Sequence, residues 1–227
     1  MSPADCTLLV VAKAPVPGLA KTRLAATVGP EVAADLAAAA LIDTLAAVDG
    51  ADVMSRVVAL TGDLDRAARS GELRSRLAGC TVIGQRGVTL GERLAAAHRD
   101  AVRMFPGPLI QIGMDTPQVT AALLSEAAMT LSGGSVDAVY GPASDGGWWA
   151  LGLSDPMLAR FLSGVAMSEA DTGARTVRAL RKVCPVVGEL PVLTDVDGAG
   201  DVWAVAAGLD VDSWFRRAAE AHGATSW

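Results

Sequence analysis

Ala12-Lys13-Ala14-Pro15-Val16-Pro17-Gly18-Leu19-Ala20-Lys21-Thr22-Arg23-Leu24 is the stretch that decides the fold class. The apolar run Leu8–Val11 leads straight into it, and an alanine-rich helical pattern follows. A buried strand, a loop stiffened by two prolines, then a helix is the arrangement with which α/β proteins hold phosphate on backbone N–H groups and a helix N-terminus. Lys13, Lys21 and Arg23 add positive charge to that loop. It is not a Walker A loop: Ala20 stands where glycine must precede Lys21-Thr22, and Gly18 is misplaced. The competing reading is a surface loop with solvated cations.

Outward from this loop, short β-rich runs alternate with helical patterns. Strands are expected over 7–12, 56–61, 80–84, 109–113, 137–140, 148–153 and 185–190. Helices are expected over 31–48, 64–70, 91–104, 120–131, 156–162, 174–183, 200–207 and 212–222. Pro30 suits a first helical position with Glu31 complementing the dipole, and Asp155-Pro156 reads as an N-cap followed by proline. The runs at 8–11 and 109–112 are apolar on both faces, as central strands covered by helices are. The alternation implies a mostly parallel sheet between helical layers, a three-layer α/β/α sandwich. No linker or charge run divides the 227 residues, so one domain over 1–227 is expected.

The chain is 51% hydrophobic, enough to bury a substantial core, and its formal charge is −6. That balance lacks the basic footprint of a nucleic-acid binder but leaves room for a nucleotide in a locally positive pocket. No apolar run reaches the ~18–20 residues of a membrane span, and 7–12 is too short for a signal-peptide core. Cys6, Cys80 and Cys184 are widely spaced and odd in number, which points to free thiols in a reducing cytoplasm rather than a zinc site.

In a parallel sheet, ligands bind at the carboxyl ends of the strands. Asp115, in Met114-Asp115-Thr116-Pro117, follows one strand and suits a magnesium ion shared with a phosphate; the alternative is a turn or cap residue. Asp195 and Asp197 flank one residue before a late helix and project to the same side of an extended segment. Capping could explain Asp197 alone. In Gly141-Pro142-Ala143-Ser144-Asp145-Gly146-Gly147-Trp148-Trp149, the glycines let backbone approach a ligand, and alternation sends one indole into the core and the other to the opposite face. The stretch Gln85–Arg93 opens a helix, and its two glycines and two arginines, Arg86 and Arg93, could line the nucleotide side of a cleft; Glu92 and Arg93 could equally form surface pairs. His98 lies mid-helix and His222 near a terminus expected to fray; neither has a Ser or Cys partner for nucleophilic catalysis. Trp214, Phe215 and Trp227 could cover the core or make a homodimer contact.

In order, A-K-x-P-x-P-G-x-x-K-T-R-L, L-G-E-R-L, I-G-x-D-x-P, G-P-x-x-D-G-G and a late D-V-D resemble the bacterial DUF2064 group of nucleotide-diphospho-sugar-transferase-like proteins, also labelled radical-SAM-associated transferase 1 or glycosyltransferases. The resemblance runs from about residue 8 to 207. It implies a GT-A-like, Rossmann-related fold, with Lys13, Gly18, Lys21, Thr22, Arg23 and Arg93 on the nucleotide. It implies Mg2+ or Mn2+ at Asp115 with Asp197 or Asp195, and Asp145, Gly146, Gly147 and Trp148 at the acceptor or sugar. Asp115, Lys21 and Asp145 would be the catalytic residues. The chain departs from the usual family pattern at Thr89 and Gln118, where acids are common, at Trp148 for Tyr, and at Met167-Ser168 for Trp-Ser.

The function so implied is metal-dependent transfer from a nucleotide or NDP-sugar donor to a small-molecule acceptor. Glycosyl transfer stands ahead of nucleotidyl transfer to a small phosphorylated or acidic acceptor. The rival of another class is a non-catalytic nucleotide-binding protein.

Overall fold

The structure is a computed structural model that describes residues 3–224. β1 (Ala4–Lys13) leads through the basic loop to α1 (Thr22–Val28) and α2 (Pro30–Gly50). β2 (Val53–Thr61), α3 (Ser70–Leu77), β3 (Thr81–Gly84), α4 (Leu90–Met104), β4 (Leu109–Ile112) and α5 (Ala121–Ser132) follow. β5 (Ala138–Pro142) and β6 (Trp148–Leu153) then form a hairpin. After it come α6 (Thr172–Leu180), β7 (Val187–Glu189), α7 (Ala199–Ala206) and α8 (Trp214–Ala221).

The strands form one seven-stranded sheet in the order β3-β2-β1-β4-β6-β5-β7. All neighbours are parallel except β6, which runs antiparallel to β4 and β5. β1 lies inside the sheet beside the central β4, with Val10 opposite Val58 of β2 on one side and Ile112 of β4 on the other. The chain winds outward from β1 to β3, then returns to β1's other flank as β4. Loops leaving β1 and β4 therefore diverge, and a crevice opens at the carboxyl ends of these strands. This is the expected three-layer α/β/α sandwich.

Alanine makes the layers close-packed. One face of α2 lays Leu41, Ile42, Leu45 and Val48 on Leu8, Val10 and Val58 of the sheet. Its opposite face packs Ala33, Leu36, Ala39 and Ala40 against Val202 and Val205 of α7 and Phe215 and Ala218 of α8. The other side of the sheet is covered by α4, through Ala97 and Ala101 on Leu9 and Val57, and by a 3-10 helix, Pro156–Gly164. Each fully buried Leu, Ile or Phe here contributes ~1.5–3 kcal/mol.

Two expectations need correction. The helix expected over 64–70 is a 3-10 turn at Leu64–Arg66, held by Asp63 accepting from the Asp65 N–H; the helix proper is α3. Between them Ala67 is extended and Arg69 is left-handed (φ 51°), which turns its guanidinium onto Asp35. Pro156–Gly164 is 3-10 rather than α-helical. In the segment expected to fray, His222 Nε2 lies 2.9 Å from Asp35 Oδ2. Phe215 is 1% exposed and belongs to the core, whereas Trp214 lies under the Arg69 guanidinium, 5.3 Å from ring centroid to Cζ. Trp227 lies outside the described residues.

Candidate functional site

The crevice at the β1/β4 divergence is a cleft of about 900 Å3. The basic loop forms one wall. Ala14 N–H donates to Thr61 O at 2.8 Å, and Pro15 O accepts from Ala68 N–H at 3.0 Å, so the loop is pinned to the segments after β2. The Leu19 and Ala20 N–H groups both donate to Val16 O, so this backbone is satisfied within the loop rather than offered to an anion. Lys13 Nζ likewise donates to Leu19 O, at 2.5 Å. Leu19 and Ala20 thus take no part in a phosphate cradle of loop amides, while the first-turn N–H groups of α1 have no side-chain cap.

Lys21 is the focus of the site. Its Nζ donates to Asp115 Oδ2 at 2.6 Å and to Asp197 Oδ1 at 2.7 Å, and its side chain is only 13% exposed. Burial alone would push the ammonium pKa down; the two carboxylates outweigh it and hold the pKa above the usual lysine value. Lys21 adopts φ 45°, ψ 52°, a left-handed conformation that costs a non-glycine residue ~1–3 kcal/mol. Arg23 Nη1 stands 3.5 Å from Asp197 Oδ2 and remains largely exposed. Burial works against the Asp197 carboxylate too, but Lys21 and Arg23 hold its pKa below the usual range.

The acids come together from three elements. Asp115 follows β4, and its carbonyl accepts from Val196 N–H at 3.1 Å, which ties the segment after β7 to the β4 end. Asp195 and Asp197 both line the cleft, as their spacing predicts. Burial first, then the negative charges of Asp115 and Asp145, raise the Asp195 pKa to about 8, and its Oδ1 is buried with no hydrogen-bond partner among the described residues. Capping of α7 falls to Asp201, whose Oδ2 accepts from the Asp197 and Gly198 N–H groups; this leaves Asp197 free for Lys21. Nothing in the local sequence separated these two roles, because either acid is suitably placed for a cap.

Do these residues suit a divalent cation? Asp115 and Asp197 share one ammonium, while burial and like charge push the Asp195 carboxyl toward its neutral form and leave one of its oxygens without a donor; a divalent ion would relieve both strains. Among the described residues no three acids or histidines converge in a ligating arrangement; Lys21 stands between Asp115 and Asp197. The donor set is hard oxygen, which fits Mg2+ or Mn2+.

The opposite wall is the β5–β6 turn. Asp145 Oδ1 accepts from Gly147 N–H at 2.8 Å, and Gly146 has φ 89°. Trp149 is the core indole, at 1% exposure with Nε1 donating to Pro191 O; a Cβ on Gly141 would lie 2.5 Å from its ring. Trp148 takes the other face and lines the cleft, as alternation requires. Arg93 lines it too, with Nε donating to Gly87 O at 3.1 Å. Thr22 lines the cleft at the start of α1, whereas Gly18 (φ 75°) serves the turn of the loop.

Sequence reasoning missed Glu169 and Gln85, which also line the cleft. Gln85 Nε2 bridges Ala12 O and Ala59 O, so it supports the ends of β1 and β2. The departures have local explanations in part. Thr89 caps α4 by accepting from Glu92 N–H, and Glu92 Oε2 accepts from the Val88 and Thr89 N–H groups, a capping box. Gln118 buries its Oε1 without a partner among the described residues.

A family profile described as an uncharacterized protein conserved in bacteria, DUF2064, matches residues 44–169, a span that holds Arg93, Asp115, Asp145 and Trp148. No curated protein matches the chain. Among solved structures, a candidate nucleotide-diphospho-sugar transferase from Desulfovibrio desulfuricans G20 is 26% identical over 96% of each chain, with a TM-score of 0.80. Rv0371c of Mycobacterium tuberculosis H37Rv, in complex with manganese, is 20% identical over 90% of this chain and 99% of that one, with a TM-score of 0.52. A cytidylyltransferase from Leptospira borgpetersenii serovar Hardjo-bovis (strain JB197) is 12% identical over 96% and 93%, with a TM-score of 0.56. The last two share the fold with this chain. With its motifs in the expected order and more than half its length matched by the profile, the chain belongs to the DUF2064 family.

Proposed function

We propose that the protein is a metal-dependent transferase that uses a nucleotide-activated donor, with glycosyl transfer from an NDP-sugar as the reaction. The observation that carries this reading is the Lys21 ammonium clamped between Asp115 and Asp197 beside the orphaned Asp195 oxygen. A cation among clustered acids at a strand-end crevice is the equipment for a phosphate leaving group. Similarity to the 26%-identical Desulfovibrio protein, a candidate nucleotide-diphospho-sugar transferase, supports the same class.

Asp115, with Asp197 or Asp195, would hold Mg2+ or Mn2+, and the ion when bound supplies charge neutralisation for the departing diphosphate. This chain's own residues do the rest. Lys21 and Arg23 face the donor phosphates, with Arg93 across the cleft, while Asp145 and Trp148 orient the acceptor side.

The test is a thermal-shift screen of NTPs and NDP-sugars with Mg2+ or Mn2+ and again with EDTA. A ligand at a hundred times its dissociation constant stabilises by ~2.7 kcal/mol, a visible shift. A metal-dependent shift with an NDP-sugar, abolished by Asp115→Asn, is expected. A preference for one NTP would favour nucleotidyl transfer instead; no shift with any of them would refute the reading.

A further inference from the structure

We propose that the acceptor is an uncharged, hydroxyl-rich compound, held on the wall formed by Asp145, Trp148, Met167 and Glu169, and not a phosphorylated or carboxylate acid. This rests on the transferase reading and adds the acceptor class to it.

The cleft is electrically divided. Its four cationic side chains are Lys13, Lys21, Arg23 and Arg93, from the end of β1, the loop after it, the start of α1 and α4. The wall contributed by 145–148 and 167–172 brings none. Arg175, the next cation along the chain, does not line the cleft and pairs with Asp171 at 2.7 Å. What this wall offers is Asp145 and Glu169, two carboxylates, around the partly exposed Trp148 indole and the Met167 thioether. Carboxylates accept hydrogen bonds from hydroxyls, and an indole face packs on the C–H surface of a polyol or sugar ring. An anionic acceptor on the same wall would meet like charge without a counter-cation.

The wall is also built to stay in place. Gly173 N–H donates to Gly146 O at 2.8 Å, and a Cβ on Gly173 would lie 2.6 Å from Gly146 O and 2.7 Å from Gly147 O. A Cβ on Gly146 would lie 2.4 Å from Ala170 O. These two glycines join the Asp145 turn to the segment that carries Glu169. Ser168 beside it takes φ 64°, a conformation rare for a side-chain-bearing residue away from functional segments. The joint keeps the Asp145 turn, whose carboxylate is oriented by the Gly147 N–H, beside the segment that carries Glu169.

Matched acceptor pairs test this: glycerol against glycerol 3-phosphate, and glucose against glucose 6-phosphate. Each pair is assayed with the donor that stabilises the protein, on the wild type, Glu169→Lys and Glu169→Gln, with folding checked by melting. The neutral member should be preferred in kcat/KM by roughly tenfold or more. Glu169→Lys should shrink or reverse that ratio while the donor dissociation constant stays unchanged, and Glu169→Gln should raise KM for the neutral acceptor. Preference for the phosphorylated member, a ratio that Glu169→Lys does not move, or donor binding without transfer to either neutral compound would overturn the assignment. Absence of any donor binding is a separate result, which removes the transferase reading and the acceptor class with it.

Discussion

At Lys21, backbone and side chain pull in opposite directions: a strained left-handed φ is tolerated because it delivers the ammonium to Asp115 and Asp197. Removing the cation leaves two carboxylates facing each other. Lys21→Met should therefore cost ~1–3 kcal/mol, less than the loss of a fully buried partner because Asp115 and Asp197 are 28% and 40% exposed. Mn2+ should stabilise the variant more than the wild type in a melting assay. Unchanged stability together with an equal Mn2+ shift would contradict this account of the acid cluster. His98 is the opposite case, a titratable residue outside the chemistry. It is fully buried on the inner face of α4 with Nε2 3.1 Å from Gln111 Oε1, and burial, only partly offset by that contact, lowers its pKa to about 4. The folded value lies below the unfolded one of about 6.5, so the unfolded chain binds the extra proton first. His98's contribution is present above pH ~6.5 and lost as pH falls toward 4. Denaturant titrations should show wild type losing a few kcal/mol more than His98→Gln between pH 7 and 4. Parallel slopes for the two proteins would refute it.

Among the elements, α4 shows how a motif can serve structure and site together. The sequence Thr89-Leu90-Gly91-Glu92-Arg93 carries a capping box, which was open to reading locally, and a glycine whose reason is tertiary. A Cβ on Gly91 would lie 2.2 Å from the Leu162 carbonyl oxygen, so α4 and the 3-10 helix approach too closely for any larger residue. Gly91→Ala should destabilise by ~1–3 kcal/mol, or a Tm loss of roughly 2–4 °C per kcal/mol, and move Arg93 relative to the cleft. A Tm within one degree of wild type would show that this contact yields freely. Elements with a long apolar or alanine-rich run bounded by turn residues, such as α2 and β1, were legible in advance, since composition and punctuation are local. The 3-10 turn at Leu64–Arg66 was not: Arg69 leaves the helical path to reach Asp35 on another helix, a pull that no local pattern records.

Across the whole molecule, the C-terminal helix is held by side chains of α2. Asp43 accepts from Ser213 Oγ at 2.7 Å and from the Trp214 and Phe215 N–H groups, capping α8 from a distance. Asp35 binds Arg69 through both oxygens and also faces His222. Because α8 covers the face of α2 opposite the sheet, it can open without disturbing β1. Asp43→Ala should cost ~1–2 kcal/mol and accelerate amide exchange in 214–221 while β1 stays protected. Equal acceleration in β1 and α8 would instead mean that the two open as one unit.

The sequence by itself determined the strand–loop–helix order, the buried character of β1 and β4, the placing of acids after strands, and the split of the Trp148-Trp149 pair between core and opposite face. Each of these follows from periodicity or turn chemistry within a few residues. Only the tertiary structure decided that Trp149 is the core indole, that Lys21 meets Asp115 and Asp197, 94 and 176 residues away, that Lys13 is spent on its own loop, and that Glu169 joins Asp145 on one wall. Those outcomes depend on sheet order and on glycine-permitted close approaches, and neither is written in the neighbourhood of any one residue.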